Sequence, residues 1–490
     1  MNRLTLWKRF KSTLVRQKPE KSPLDQELFN WTHDDPFTVR DLLRSIAIFG
    51  ATGSGKTSGS GKWLAEAIVT HRRSSGLILC AKPEDEAMWR RIFANADRKS
   101  DLLIFEPGGA LRFNFLSYVV KSGGDTRQIT KCITSIGETL RSSDASGRED
   151  SQFWEREQER MLYNAVEVVK QATGRVTAPD LQNFITTAAG SPSEISTPVW
   201  QGKFHCRCMK AAYEKEKSPT EQHDYELAQD YWLGEIPNMA DRTKSSILVG
   251  VLGILHVFNT GVVRELASDE TNVTPDDMLK KCRWVLVNMP PAQWGDAGSF
   301  INAGWKFLTE WRVLRRQAEP SDHVHVIWCD EAQQFVNSFD AHYLAQSRSH
   351  LGCVCFLTQS LHSYYAALPG TAGRHQADAL LSNLNLRIVH ALGDAESASW
   401  ASGLIGKELR TFIGGSMAPQ EDLFDTLVGR SRFTGSFSQH YEDVLQPNVF
   451  MNGLRTGGPA NRFVVDAIVI KSGEPFANGK NFMWTSFSQR

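Results

Sequence analysis

The chain has 490 residues, 41% hydrophobic and 22% charged, a globular composition long enough for two or three domains. Lys and Arg (55) balance Asp and Glu (55), so no overall basic charge marks a nucleic-acid binder and any such contact has to be local. The longest apolar run, residues 247–255, falls well short of the roughly 18 residues that span a bilayer, and no signal peptide is evident.

The first 21 residues set Arg3, Lys8, Arg9, Lys11, Arg16 and Lys18 among Leu4, Trp7, Phe10 and Leu14 at near-helical spacing. Such a segment suits an anionic membrane surface or a partner, and equally a solvated helix packed on its own domain. Ser45 to Phe49 then reads as a short buried strand, and Trp63 to Val69 as an apolar helical run. Between them, Gly50-Ala51-Thr52-Gly53-Ser54-Gly55-Lys56-Thr57 fits the P-loop pattern, whose glycines let backbone N–H groups wrap phosphates before a helix begins. Lys56 is expected at the β- and γ-phosphates of ATP and Thr57 on Mg²⁺. A second GSGK, Gly59 to Lys62, is followed by Trp63 and fails the pattern. Gly59 and Gly61 fall inside the first helical turns, where each costs about 1 kcal/mol relative to Ala, so the second copy predicts close packing rather than phosphate binding.

Further buried strands are expected at residues 76–80, 102–105, 284–288, 324–329, 352–357 and 386–390, continuous apolar runs of the kind a parallel sheet covered on both faces requires. The fold class is therefore α/β, a doubly wound and mainly parallel sheet. From about residue 123 to 245 the chain turns polar, charged and helical, for example over residues 150–171, and reads as an inserted all-α domain. The expected partition is a basic segment at 1–30, a motor domain at 31–122 and 246–490, and the insert at 123–245. The region after Gly457 reads as one more strand, Phe463 to Ile470, and a polar tail.

The strand Val324 to Cys329 ends in Asp330-Glu331, which suits a carboxylate beside Mg²⁺ followed by one that orients or deprotonates water. Gln359, at the end of the next strand, falls where ligands bind in such sheets and is expected to sense the γ-phosphate. Cys80, Cys329, Cys353 and Cys355 lie in apolar runs and suit reduced core thiols of a cytoplasmic protein. His205-Cys206-Arg207-Cys208 has no second ligand pair at zinc-finger spacing, and surface thiols are the simpler expectation.

Taken together, the glycine loop, Asp330-Glu331-Ala332-Gln333, Thr358-Gln359-Ser360, Ser382-Asn383 and Gly393-Asp394 stand in an order that resembles the type IV coupling proteins, the TraG/TraD-like ATPases of conjugation and type IV secretion within the FtsK/HerA class. Arg242 to Leu248 is similar to the return from that family's helical domain. Lys82-Pro83-Glu84, Phe105-Glu106-Pro107 and Phe113-Asn114-Phe115-Leu116 resemble a second family block, though Ala81 stands where the family usually has an acid. The resemblance implies a RecA-like motor, a substrate-recognising all-α insert and a homo-hexameric ring round DNA. It implies Lys56, Glu331 and Gln359 in catalysis, with Arg348 or Arg374 as arginine finger. Gly50, Thr52, Gly53, Ser54, Gly55, Lys56, Thr57 and Ser58 would hold ATP, and Thr57 and Asp330 Mg²⁺. A relaxase or other secreted protein would be the cargo. The family's N-terminal transmembrane helices have no counterpart in this sequence, which points to the cytoplasm or, through residues 1–21, to the inner membrane or secretion channel. A motor of DNA processing or defence and a nucleotide-gated adaptor are the alternatives.

Overall fold

A computed structural model describes residues 22–138, 149–268, 270–368, 373–419 and 431–490. The basic segment 1–21 lies outside the described residues. The chain forms two compact units, one from the described residues of Met1–Ile46, Leu64–Phe356 and Ala367–Leu384, the other from Ala47–Trp63, Leu357–Ala366 and Asn385–Arg490.

The strands are β1 (Glu27–Thr32), β2 (Asp35–Thr38), β3 (Ile46–Phe49), β4 (Ser74–Leu79), β5 (Leu102–Phe105), β6 (Trp284–Val287), β7 (Val324–Cys329), β8 (Gly352–Thr358), β9 (Leu386–Val389), β10 (Lys407–Pro419), β11 (Ser431–Asp443), β12 (Val464–Lys471) and β13 (Phe482–Ser488). The helices used below are α1 (Lys62–Thr70), α2 (Asp85–Asn95), α3 (Thr126–Gly137), α4 (Glu149–Thr173), α5 (Ala178–Thr186), α6 (Phe204–Glu214), α7 (Pro219–Gln229), α8 (Asp241–Phe258), α9 (Pro291–Leu314), α10 (Asp340–Ser347), α11 (Gly373–Ser382) and α12 (Ala395–Ile405).

In the first unit the strands run β5-β6-β4-β7-β8, each parallel to its neighbour. Every residue of β4, β6 and β7 is buried, the signature of strands covered on both faces. Leu79 stands opposite both Val287 and Cys329, and Cys329 opposite Phe356, so the carboxyl ends of these strands come out level. Beneath the sheet Trp89 of α2 packs edge-on against Trp328, 5.2 Å between centroids, and leans on Trp284. Arg98, 2% exposed, ties the edge together by donating to the carbonyls of Val69, Ser74 and Cys282.

Between residues 123 and 245 the described residues are helical and contain no strand. Helix α4 buries Met161, Leu162, Val166 and Val169 along one stripe, while Phe153 near its start is exposed. Its Glu167 carboxylate reaches across to Thr126 at the start of α3. The His205 region corrects the expectation of surface thiols. His205 is fully buried, stacked on Phe184 at 4.0 Å with Nδ1 against the Phe184 carbonyl, and Cys206 and Cys208 are buried beside it. Burial lowers the His205 pKa to about 4, so the neutral ring is a core residue. Among the described residues no His, Cys, Asp and Glu group suits a metal. Nor is any single described helix long and apolar enough to cross a membrane.

The second unit runs β3-β9-β12-β13, with β12 antiparallel to both β9 and β13. Strand β13 replaces the expected polar tail, because Phe482, Met483 and Phe487 turn inward. An unexpected second feature is the ribbon β10–β11, thirteen antiparallel pairs from Lys407↔Asp443 to Pro419↔Ser431. Leu409 and Ile413 stand opposite Tyr441 and Phe437, all exposed, so the described side chains of the ribbon form no buried run of the kind that marks a strand in sequence.

Candidate functional site

The glycine loop leaves β3 at Phe49 and is hung from two neighbours. Gly50 N donates to the Thr358 carbonyl at 3.2 Å and Ala51 N to the Ala391 carbonyl at 2.8 Å. Gly53 (φ 79°) and Gly55 (φ 87°) are left-handed, a conformation that glycine adopts without steric cost. A Cβ on Gly55 would stand 2.4 Å from Val465 Cγ1, and one on Gly50 would stand 2.3 Å from Ser54 Oγ. Lys56 is buried, 7% exposed, and the buried Ser54 hydroxyl has no hydrogen-bond partner among the described residues. The loop therefore has the shape and the spare donor that a bound anion needs. Thr52 Oγ1 donates to Gln359 Oε1 at 3.4 Å, bringing together two residues that the sequence marked separately.

The second GSGK now has a physical account. Residues Thr57–Gly61 form a wide π-type turn, in which Gly61 N donates to the Lys56 carbonyl at 2.8 Å, before α1 begins. A Cβ on Gly59 would meet Val465 Cγ2 at 2.4 Å, and one on Gly61 the Lys56 carbonyl at 2.8 Å. Between them Ser60 Oγ bonds His390 Nε2 at 2.7 Å, and His390 Nδ1 faces the Asp466 carbonyl at 2.8 Å. Burial lowers the His390 pKa to about 4, so the neutral ring donates from Nδ1 and accepts the Ser60 hydroxyl. Gln489 Nε2 donates to Ser58 Oγ at 2.7 Å. His390, Val465 and Gln489 were not marked as site residues by sequence, since nothing about their own neighbours says which loop they will touch.

Asp330 and Glu331, in the first unit, follow β7 directly and are both 4% exposed. Glu331 adopts a left-handed backbone (φ 49°, ψ 54°), rare for a residue with a side chain. Its N–H donates to Asp330 Oδ1 at 2.9 Å, Gln333 Nε2 donates to its Oε2 at 2.8 Å, and Lys82 Nζ lies 3.3 Å from its Oε1. Asp85 accepts from the Ala81 and Lys82 N–H groups, 3.0 Å each. Burial, aided by the Asp330 charge, raises its pKa to about 6. Behind this corner the fully buried Lys306 of α9 pairs with Asp340 of α10 and lies 3.4 Å from Glu310. Burial pushes the Glu310 carboxyl well above its usual range. Asp340 Oδ2 in turn accepts from Asn337 N at 2.7 Å, which anchors the chain a few residues past Glu331. Arg348, in a 3₁₀ turn after α10, and Arg374, in α11, are both exposed.

A strand, a glycine loop of this pattern and a helix, with paired acids ending a parallel strand, define a P-loop NTPase of the RecA-like α/β class. Residues 323–451, from β7 through β11, match the family model described as the TraM recognition site of TraD and TraG. No curated protein matches the sequence. Among solved structures, the bacterial conjugative coupling protein TrwBdeltaN70 aligns with a TM-score of 0.59 at 14% identity over 98% of this chain and 93% of that one. The plasmid coupling protein TrwB in complex with ADP and Mg²⁺ aligns with a TM-score of 0.60 at 14% identity over 98% and 92%. Residues 323–451 thus match the TraD/TraG family model, and the fold resembles that of the TrwB structures over 98% of the chain.

Proposed function

We propose that the protein is an ATP-hydrolysing DNA translocase of the type IV coupling kind, which recruits a nucleoprotein substrate and works as a ring of six copies. The observation that carries this reading is the TraD/TraG match over the segment holding Asp330, Glu331 and Gln359, in a chain whose loop at Gly50–Thr57 is shaped for phosphate.

In this reading the N–H groups from Gly50 to Ser58 cradle the phosphates of ATP, with Thr52, Gly53, Ser54 and Gly55 lining the turn, and Lys56 offsets the charge of the β- and γ-phosphates. Thr57 would offer Mg²⁺ a hydroxyl and Asp330 a carboxylate, the oxygen donors that this hard cation takes. When bound, the ion neutralises charge that builds on the phosphate oxygens. Glu331 orients the attacking water and accepts its proton, while Gln359 contacts the γ-phosphate. An arginine from the neighbouring copy, Arg348 or Arg374, completes the site.

Cargo recognition belongs to the helical region 123–245, and residues 1–21 meet the inner membrane or a secretion-channel component. DNA contacts through Lys and Arg would make binding salt-dependent and insensitive to sequence. The deciding experiment is the ATPase rate with and without single- and double-stranded DNA, over protein concentration and salt, with Glu331→Gln as control. DNA stimulation that rises with protein concentration and vanishes in the variant supports the motor. Slow turnover indifferent to both turns the reading toward the adaptor.

A further inference from the structure

The block around Lys82 has no task in the mechanism above, yet the sheet register delivers it to the catalytic corner. Leu79 and Cys329 stand opposite each other, so the chain running on to Lys82 and the chain running on to Glu331 leave the same edge side by side. Asp85 then fixes the turn by accepting the Ala81 and Lys82 N–H groups. The outcome is an ammonium 3.3 Å from Glu331 Oε1, with Gln333 on Oε2 at 2.8 Å.

We infer that Lys82 is a positioning residue that latches Glu331 before substrate engages, resting this on the ATPase reading above. A base that takes a proton from water needs a carboxylate oxygen open to that water, and an ammonium on the same carboxylate occupies one. The two ends differ in freedom, because the Glu331 side chain is 5% exposed and the Lys82 side chain 50%. The lysine is the end that can withdraw, on a flexible four-carbon stem. Asp330 and Asp85 are the other charges facing the ammonium.

The test pairs Lys82→Met with Lys82→Arg. In Lys82→Met the DNA-free turnover should rise about fivefold, the rate equivalent of one exposed ion pair, and the stimulation by DNA should shrink by the same factor. Lys82→Arg should behave as the parent. A second readout is independent of turnover: Mn²⁺ binding to the nucleotide-free protein, followed by electron paramagnetic resonance. Without the neutralising ammonium the acidic pair should bind Mn²⁺ about fivefold tighter, and adding Glu331→Gln should remove that gain. Turnover that falls in parallel with and without DNA would overturn the latch, because Lys82 would then act in catalysis itself. Unchanged Mn²⁺ affinity would overturn it too. If the parent shows no Glu331-dependent turnover at all, the ATPase reading fails, and the Mn²⁺ measurement still decides the latch.

Discussion

The glycine loop and the carboxylate corner reach precision by opposite means. Residues Gly50 to Gly61 are positioned by missing atoms, since added Cβ atoms at Gly55 and Gly59 would run into Val465 within 2.4 Å. Lys82, Asp85, Asp330 and Glu331 are positioned by charges and hydrogen bonds, with Lys306, Glu310 and Asp340 buried behind them. The first arrangement tolerates no added volume and the second no lost partner. Mutations should therefore fail in different ways in the two regions.

The largest effect is expected behind the charged corner. Lys306→Met leaves Asp340 buried and unpaired and should cost about 3 to 5 kcal/mol in a chemical denaturation midpoint. Replacing Lys306 and Asp340 together by apolar residues should recover much of that loss, and no recovery would mean that the pair is needed for more than mutual neutrality. At the catalytic carboxylate, Glu331→Gln should lower ATP turnover about 100-fold or more while leaving the binding of a fluorescent nucleotide intact. Equal loss of both would mark Glu331 as a binding residue.

Acid should separate the regions further. His390 has a folded pKa of about 4 against about 6.5 when unfolded, so the unfolded state takes up the proton first. Its stabilising contribution is complete above pH 6.5 and is lost as the pH falls toward 4, by about 1 to 3 kcal/mol. Denaturation of His390→Gln should show a shallower pH slope over that window than the parent, and identical slopes would exclude His390 as the cause. The smallest expected effect has the most diagnostic sign. Helix propensity says Gly59→Ala should stabilise by about 1 kcal/mol, whereas overpacking against Val465 costs about 1 to 3. The contact is only 2.4 Å, so we expect a net loss of about 1 to 2 kcal/mol, reversed in part by Val465→Ala. A melting temperature above the parent's would show that the loop is held by something other than exclusion.

This contrast also explains what the sequence could reveal. The loop is legible because its pattern is local, twelve residues whose spacing states the shape, and the buried strands announce themselves as apolar runs. The failed second GSGK was readable as steric, but Val465, which enforces it, was not. The corner is only half legible. Asp330-Glu331 ends a readable strand, while Lys82 meets it through a parallel pairing that no local pattern reports. The ribbon β10–β11 escaped for the reverse reason, because exposed cross-strand pairs replace burial. Strand β13 was hidden by exposed residues such as Trp484 alternating with its buried ones.

The cysteines have a practical consequence. All eight are free thiols and lie in the first unit, from Cys80 to Cys355, and Cys282 alone is partly open to solvent. A thiol reagent should therefore label one residue promptly and the others only as fast as their surroundings open. That slow labelling would time the opening of the parallel sheet and its helices, blind to the unit that carries the glycine loop.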